Sequence, residues 1–207
     1  SYSVTGVQTC ALPICSDRVI ASTRHEIETQ YALYSNKEHG SFEVIPPGFD
    51  LGRFLPYYDE HPLESPSYHP ARSAHVSLRE ELGRFLSNPD KPLIVSVGRP
   101  DKRKNLSGLI ELFGKHKDLQ AMANLAVFAG IRKDISTMGD AERDVLVEML
   151  LLMDKYDLYG KLALPKRHDV EHQIPELYRI AAQSRGVFAT LALHENLGLT
   201  LLEAAAT

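Results

Sequence analysis

The sequence predicts an α/β fold built on a parallel sheet and incomplete at both ends. Three observations carry that prediction. From Ser16 onward, short apolar runs alternate with stretches of helical period. Glycine, proline and asparagine punctuate many of the junctions. The last helical stretch, "GLTLLEAAA", approaches Thr207 without a cap or a following strand. Strands that alternate with helices pair in parallel through right-handed crossovers.

Taken in order, "DRVIAST" (17–23) suits a short buried strand, and "RHEIETQYALY" (24–34) follows with Ile27, Tyr31 and Tyr34 at helical spacing. "FEVIPPG" (42–48) is a brief strand stopped by Pro46, Pro47 and Gly48, because proline supplies no ladder donor. Residues 51–76 carry prolines, tyrosines and histidines without a period and predict a linker or extended crossover. "SLREELGRFL" (77–86) is helical and "PLIVSVG" (92–98) is a buried strand. "NLSGLIELFGKH" is a helix with Asn105 as N-cap. Strands follow at 124–130, 161–165 and 186–190, and helices at 141–156, 171–184 and 198–206.

Hydrophobic residues make up 43% of the 207, enough for a substantial core. The formal net charge of −4 argues against a general nucleic-acid binder, which would carry a wide basic face. Even the apolar stretch Met149–Met153 is far short of the roughly 20 residues that span a bilayer. Neither nucleic acid nor membrane is an expected partner. Both cysteines, Cys10 and Cys15, lie in "SYSVTGVQTCALPIC", which lacks the basic start and cleavage site of a signal peptide. "GVQTCALPI" resembles translated sequencing-adapter sequence, so residues 1–15 are read as non-native and support no redox inference. The cysteine-free remainder fits a cytoplasmic protein.

Against that acidic background, "VSVGRPDKRKNLSGLIELFG" (95–114) places Arg99, Lys102, Arg103 and Lys104 within six positions. The run follows a buried strand and precedes a helix, where open α/β sheets bind ligands. Unpaired helix N–H groups and the helix dipole favour an anion there. Arginine adds a planar fork and lysine a mobile point charge, a pair suited to a diphosphate. By itself a basic run of this kind is more often a solvated charge cluster. A nucleic-acid role lacks the interleaved aromatics on which bases stack.

A second signal is "ALHENLGLTLLEAAA" (192–206), in which Glu195 follows a strand and Glu203 comes eight positions later inside a helix. Carboxylates so placed can accept hydrogen bonds from the vicinal hydroxyls of a ribose or hexose, and Gly198 lets backbone approach a ligand closely. In isolation, two glutamates at this spacing are more often solvent-facing helix residues. "HDVEH" (168–172) matches an inverted zinc-protease pattern. Asp169 and Pro175 fit the start of a helix better than a ligand pair on one helical face.

Together, Arg99 and Lys104 with four residues between them, and Glu195 and Glu203 with seven, resemble the retaining GT-B glycosyltransferases of family 4. "STRHEIETQYALY", "VIPPGFD", "GRPDKRKNLSGLIE" and "HENLGLTLLEAAA" look like the bacterial sucrose-phosphate synthase branch, with plant sucrose synthases more distant. The likeness runs from Ser16 to Thr207. It implies two doubly wound, Rossmann-like domains facing a cleft. Residues 16–50 would be the end of the N-terminal acceptor domain and 51–90 a linker and crossover helix. Residues 91–207 would be the first part of the C-terminal nucleotide-sugar domain.

By the resemblance, Arg99 and Lys104 neutralise the diphosphate leaving group in place of a divalent ion, so no metal or other cofactor is required. Glu203 accepts the ribose hydroxyls, and Glu195 contacts the transferred hexose near the Leu197 and Gly198 backbone. Lys166, in the loop "PKRH" (165–168), falls where the nucleobase is read. The implied reaction moves glucose from UDP-glucose, the nucleotide-sugar donor, to fructose 6-phosphate, the sugar-phosphate acceptor, with retention. Two departures stand out: Thr190-Leu191 replaces Asn-Pro, and Asn196-Leu197 replaces Pro-Phe, which is expected to loosen the donor loop. These 207 residues alone are expected to lack transferase activity, since most of the acceptor domain is missing. The alternatives are a sibling such as sucrose synthase or mannosylfructose-phosphate synthase, or a remnant that binds nucleotide or a partner without catalysis.

Overall fold

Apolar runs too short to make a helix become strands in this chain, and the longer amphipathic stretches wrap around them. The computed structural model describes residues 17–34, 38, 40–58, 68–132, 134–195 and 197–207. The adapter-like segment, with Cys10 and Cys15, lies outside the described residues. The described chain falls into two compact units. One holds the residues up to Phe49 together with Glu195–Gly198, and the other holds Asp50–His194 and Leu199–Thr207.

In the smaller unit, Val19–Ala21 (β1) and Phe42–Val44 (β2) pair in parallel with Val19 opposite Phe42. Between them lies a short helix, Arg24–Thr29 (α1), whose first turn is fixed by its sequence. Thr23 Oγ1 accepts the Glu26 amide at 3.1 Å, and the Glu26 carboxylate reaches back to the Ser22 amide at 2.8 Å. This is a variant of the capping box, which satisfies helix N–H groups that have no intrahelical partner. Tyr31 sets its ring edge-on to Phe42 at 5.0 Å.

The larger unit begins its regular structure with Tyr68–Phe85 (α2), followed by Leu93–Val97 (β3). Leu106–Lys115 (α3), Lys117–Met122 (α4) and Asn124–Phe128 (β4) come next. Asp140–Lys155 (α5), Leu162–Ala163 (β5), Gln173–Gln183 (α6), Val187–Phe188 (β6) and Leu199–Ala205 (α7) complete it. The four strands of this unit are all parallel, in the order β5-β4-β3-β6. Central strands covered on both faces read as continuous apolar runs rather than alternating ones, and all five residues of β4 are buried.

Leu125 and Val127 of β4 point toward α3 and α5, where Leu109, Ile110, Phe113, Val145 and Met149 close one layer of the core. In α3 the buried positions Leu106, Leu109, Ile110 and Phe113 recur at the helical period. Helix α6 packs on β3, with α2 against it, through Ile174, Leu177, Tyr178 and Ala181 at the same period. Each leucine, isoleucine or phenylalanine so placed contributes roughly 1.5–3 kcal/mol on burial.

Three sequence expectations change here. The stretch 51–76 is not aperiodic throughout: α2 starts at Tyr68 and absorbs the helix expected from residue 77. Pro70 is tolerated because the N–H groups of the first turn have no intrahelical partner. His75 is consequently a helical residue whose Nδ1 pairs with Glu176 at 2.8 Å, not part of an aperiodic linker. The short helix α4 was not expected from the sequence. Among the described residues, no helix is long and apolar enough to cross a membrane.

Candidate active site

In an open parallel sheet, ligands bind where consecutive connections leave in opposite directions along the strand order. Here the chain runs outward from β3 through β4 to β5, then returns to β6 on the other side of β3. The switch point lies between β3 and β6, and the basic loop 98–105 springs from the carboxyl end of β3.

The loop's shape follows from its residues. Gly98 extends the ladder by donating its amide to Phe128 O at 3.0 Å. Arg99 is exposed, and the buried Pro100 turns the chain. Asp101 then caps a single 3₁₀ turn, Lys102–Lys104, by accepting the Arg103 amide at 2.8 Å. Its other oxygen takes the Arg103 guanidinium at 2.8 Å. These hydrogen bonds, chiefly that from the Arg103 side chain, lower the Asp101 pKa to about 2. Arg103 is therefore matched within the loop, and Arg99 and Lys102 are exposed at its surface. The Lys104 stem folds back across the strand end, where a Cβ added to Gly98 would lie 3.6 Å from Lys104 Cγ. The loop thus brings Arg99 and Lys104, five positions apart in sequence, to the same strand terminus.

Asn105 stands at the N-cap of α3 as expected, but its side chain caps nothing there. Its backbone is left-handed, with φ 50° and ψ 40°, and its Nδ2 donates to Leu191 O at 3.1 Å. The Leu193 amide donates to Arg103 O at 2.8 Å. These two bonds join the loop after β3 to the loop after β6 across the switch point. Thr190-Leu191, one of the departures noted in the sequence, lies within the joined segment.

The other expected site residues lie elsewhere. Lys166 is exposed on the loop after β5, at the outer edge of the sheet. Glu203, on α7, faces Tyr178 of α6, whose hydroxyl lies 3.4 Å from Glu203 Oε2. Burial raises the Glu203 carboxyl above its ordinary value, an effect opposed by the Tyr178 hydrogen bond and the charge of Arg53. Burial likewise pushes the Tyr178 phenol upward. Glu195, Leu197 and Gly198 belong to the smaller unit. Glu195 is exposed, and Gly198 is buried at φ +73°, a conformation that favours glycine.

"HDVEH" forms the turn before α6 rather than part of the helix. Asp169 Oδ1 accepts the Glu171 amide at 2.8 Å, and its Oδ2 lies 2.7 Å from His172 Nδ1. No cluster of three or more His, Cys, Asp or Glu suited to a metal occurs among the described residues.

One buried residue escaped the sequence reading: Arg132, four residues beyond β4, is 6% exposed. His168, the first residue of "HDVEH", is also buried, at 8% exposed. The signal for Arg132 was present: "AGIR" (129–132) places a cation just past a buried strand, as "VGR" (97–99) does.

Comparison with known proteins bears on this arrangement. The model of the family described as "Glycosyl transferases group 1" matches residues 79–207. A probable sucrose-phosphate synthase 1 of Craterostigma plantagineum is 38% identical over 212 residues. Sucrose-phosphate synthase 1 of Arabidopsis thaliana is 38% identical over 213 residues. Each match takes in 92% of this chain and 20% of the relative, so the chain spans about a fifth of the length of the curated relatives it matches. Among solved structures, a glycosyltransferase from Rickettsia africae ESF-5 superposes with a TM-score of 0.63 at 17% identity, over 100% of this chain and 47% of that one. The catalytic domain of starch synthase IV from Arabidopsis thaliana, bound to ADP and acarbose, gives 0.58 at 17% identity, over 91% and 37%. At such identities the likeness concerns the fold, which is that of the GT-B glycosyltransferases.

Proposed function

Because the chain belongs to the group 1 glycosyl transferases, we propose that it is the donor-binding portion of a retaining hexosyltransferase of the sucrose-phosphate synthase type. The donor is UDP-glucose and the acceptor is fructose 6-phosphate. The observation that carries this reading is the basic loop at the switch point, with Arg99 and Lys104 at one strand end and the loop tied to the segment after β6. The curated relatives at 38% identity bear the sucrose-phosphate synthase name, which supports the choice of substrates.

In the proposed reaction the bond between the glucose anomeric carbon and the UDP oxygen breaks. A new bond forms from that carbon to the acceptor hydroxyl oxygen on the same face. The acceptor proton passes to a phosphate oxygen of the departing UDP. Charge accumulates on the diphosphate as it leaves, so a guanidinium fork and an ammonium held in place by the fold lower the barrier without a divalent ion. Glu203 accepts the ribose hydroxyls, Lys166 meets the base, and Glu195 orients the hexose with the Leu197 and Gly198 backbone. Glu195 forms no covalent intermediate, unlike the nucleophile of a retaining glycosidase.

Calorimetric titration with UDP tests the reading. Saturable binding is expected, and Arg99→Ala should weaken it at least about tenfold, the scale of one lost charge-assisted hydrogen bond. A wild-type chain that takes up no UDP would overturn the proposal. So would an Arg99→Ala chain that binds as tightly as the wild type.

A further inference from the structure

A cavity of about 720 Å³ opens beside the loop after β5, lined in part by Arg84 and Phe85 of α2, Ile131, Lys166 and His168. Next in the chain to the lining residue Ile131 is Arg132, which is buried and makes no ion pair with a carboxylate among the described residues. A guanidinium buried without a counter-charge is costly, and the geometry shows what it does instead. The Arg132 amide donates to Lys166 O at 2.9 Å, Nη1 to Pro165 O at 2.9 Å and Nη2 to Leu164 O at 3.0 Å. One residue thus grips three successive carbonyls of a loop that has left its strand. The far end is fixed too, because the buried His168 ring meets Phe128 edge-on at 5.5 Å and 72°. Between these two anchors, Lys166 and Arg167 are exposed.

We propose that Arg132 is a positioning residue for the nucleotide base: by clamping the carbonyls of residues 164–166 it sets the direction in which Lys166 presents its ammonium group. The proposal rests on the donor-site reading above. Arginine is required because its planar fork reaches two carbonyls at once, whereas a lysine at the same place is a single point charge. The clamp leaves the diphosphate grip of Arg99 and Lys104 untouched, since that loop springs from a different strand.

The test compares UDP with inorganic pyrophosphate, which offers the diphosphate without a base, on the wild-type chain, Arg132→Lys, Lys166→Ala and the double variant. Arg132→Lys and Lys166→Ala should each weaken UDP roughly tenfold, the scale of one charge-assisted contact. The double variant should bind UDP no more weakly than Lys166→Ala alone, because residues acting through one another are not additive. Pyrophosphate affinity should be the same in all four. Arg132→Gln, which keeps two amide donors without the buried charge, takes the place of Arg132→Lys if that chain does not fold, with the same expectation. Additive losses, or pyrophosphate weakened in step with UDP, would refute the positioning role while leaving the donor site standing. A wild-type chain that binds pyrophosphate but not UDP would remove the base subsite and the inference with it. One that binds neither would remove the donor site as well.

Discussion

Replacing Asn105 separates two energies that meet at one residue. Its backbone is left-handed, a region where a Cβ crowds the following carbonyl and where asparagine and glycine are the residues best accommodated. Alanine should therefore cost about 1 kcal/mol in backbone strain. The bond from Nδ2 to Leu191 O, at 3.1 Å and exposed, is worth about 0.5–1.5 kcal/mol, and exposure favours the lower half of that range. Asn105→Ala should lose both, roughly 2 kcal/mol. Asn105→Gly should lose only the bond and some unfolded-state entropy, roughly 1 kcal/mol. Urea unfolding followed by far-UV circular dichroism reads the difference as a shift in midpoint at constant slope. Both variants should also bind UDP less tightly, because the loops after β3 and β6 lose a hydrogen bond that ties them together. A glycine variant as unstable as the alanine one would refute the backbone term. Two variants indistinguishable from the wild type would refute the tie itself.

Two further outcomes follow from residues outside that loop. His168 is buried, and burial above all, with the charge of Arg132, lowers its imidazole pKa below 6.5 against the opposing pull of Asp169. The folded state then binds fewer protons than the unfolded one, so stability should fall as pH drops from about 6.5 toward the folded value. His168→Gln should flatten that slope, and an imidazole titrating at or above 6.5 by NMR would refute the account. Gly186, immediately before β6, lies so close to β3 that an added Cβ would overlap Leu93 O. Gly186→Ala should push β6 away from β3 and cost about 2 kcal/mol or more, the range of overpacked core sites. Unchanged thermal unfolding together with unchanged UDP binding would show that the strand edge adapts.

Local pattern determined a good deal of this protein. The runs around Val95 and Val127 and the amphipathic stretches around Ile110, Met149 and Leu177 announced their strands and helices, because burial on one face leaves a period in the sequence itself. The position of the Arg99–Lys104 loop was legible for the same reason: it follows directly from where a strand stops and a helix starts. Pro70 hid the first turns of α2, since the residue that usually breaks a helix is harmless at its beginning. What only the tertiary structure decided depends on contacts between residues far apart in the chain. The return of β6 to the open side of β3 creates the switch point, and Ile94 pairs with Val187 without any local mark of that choice. Asn105 looked like a helix cap, yet its side chain serves a carbonyl 86 residues away. Arg132 carried no local mark of burial, yet it lies buried with its amide and guanidinium bound to three carbonyls some thirty residues further on. A side chain's period betrays the face it buries, but its hydrogen-bond partner is set by which loops the sheet brings together.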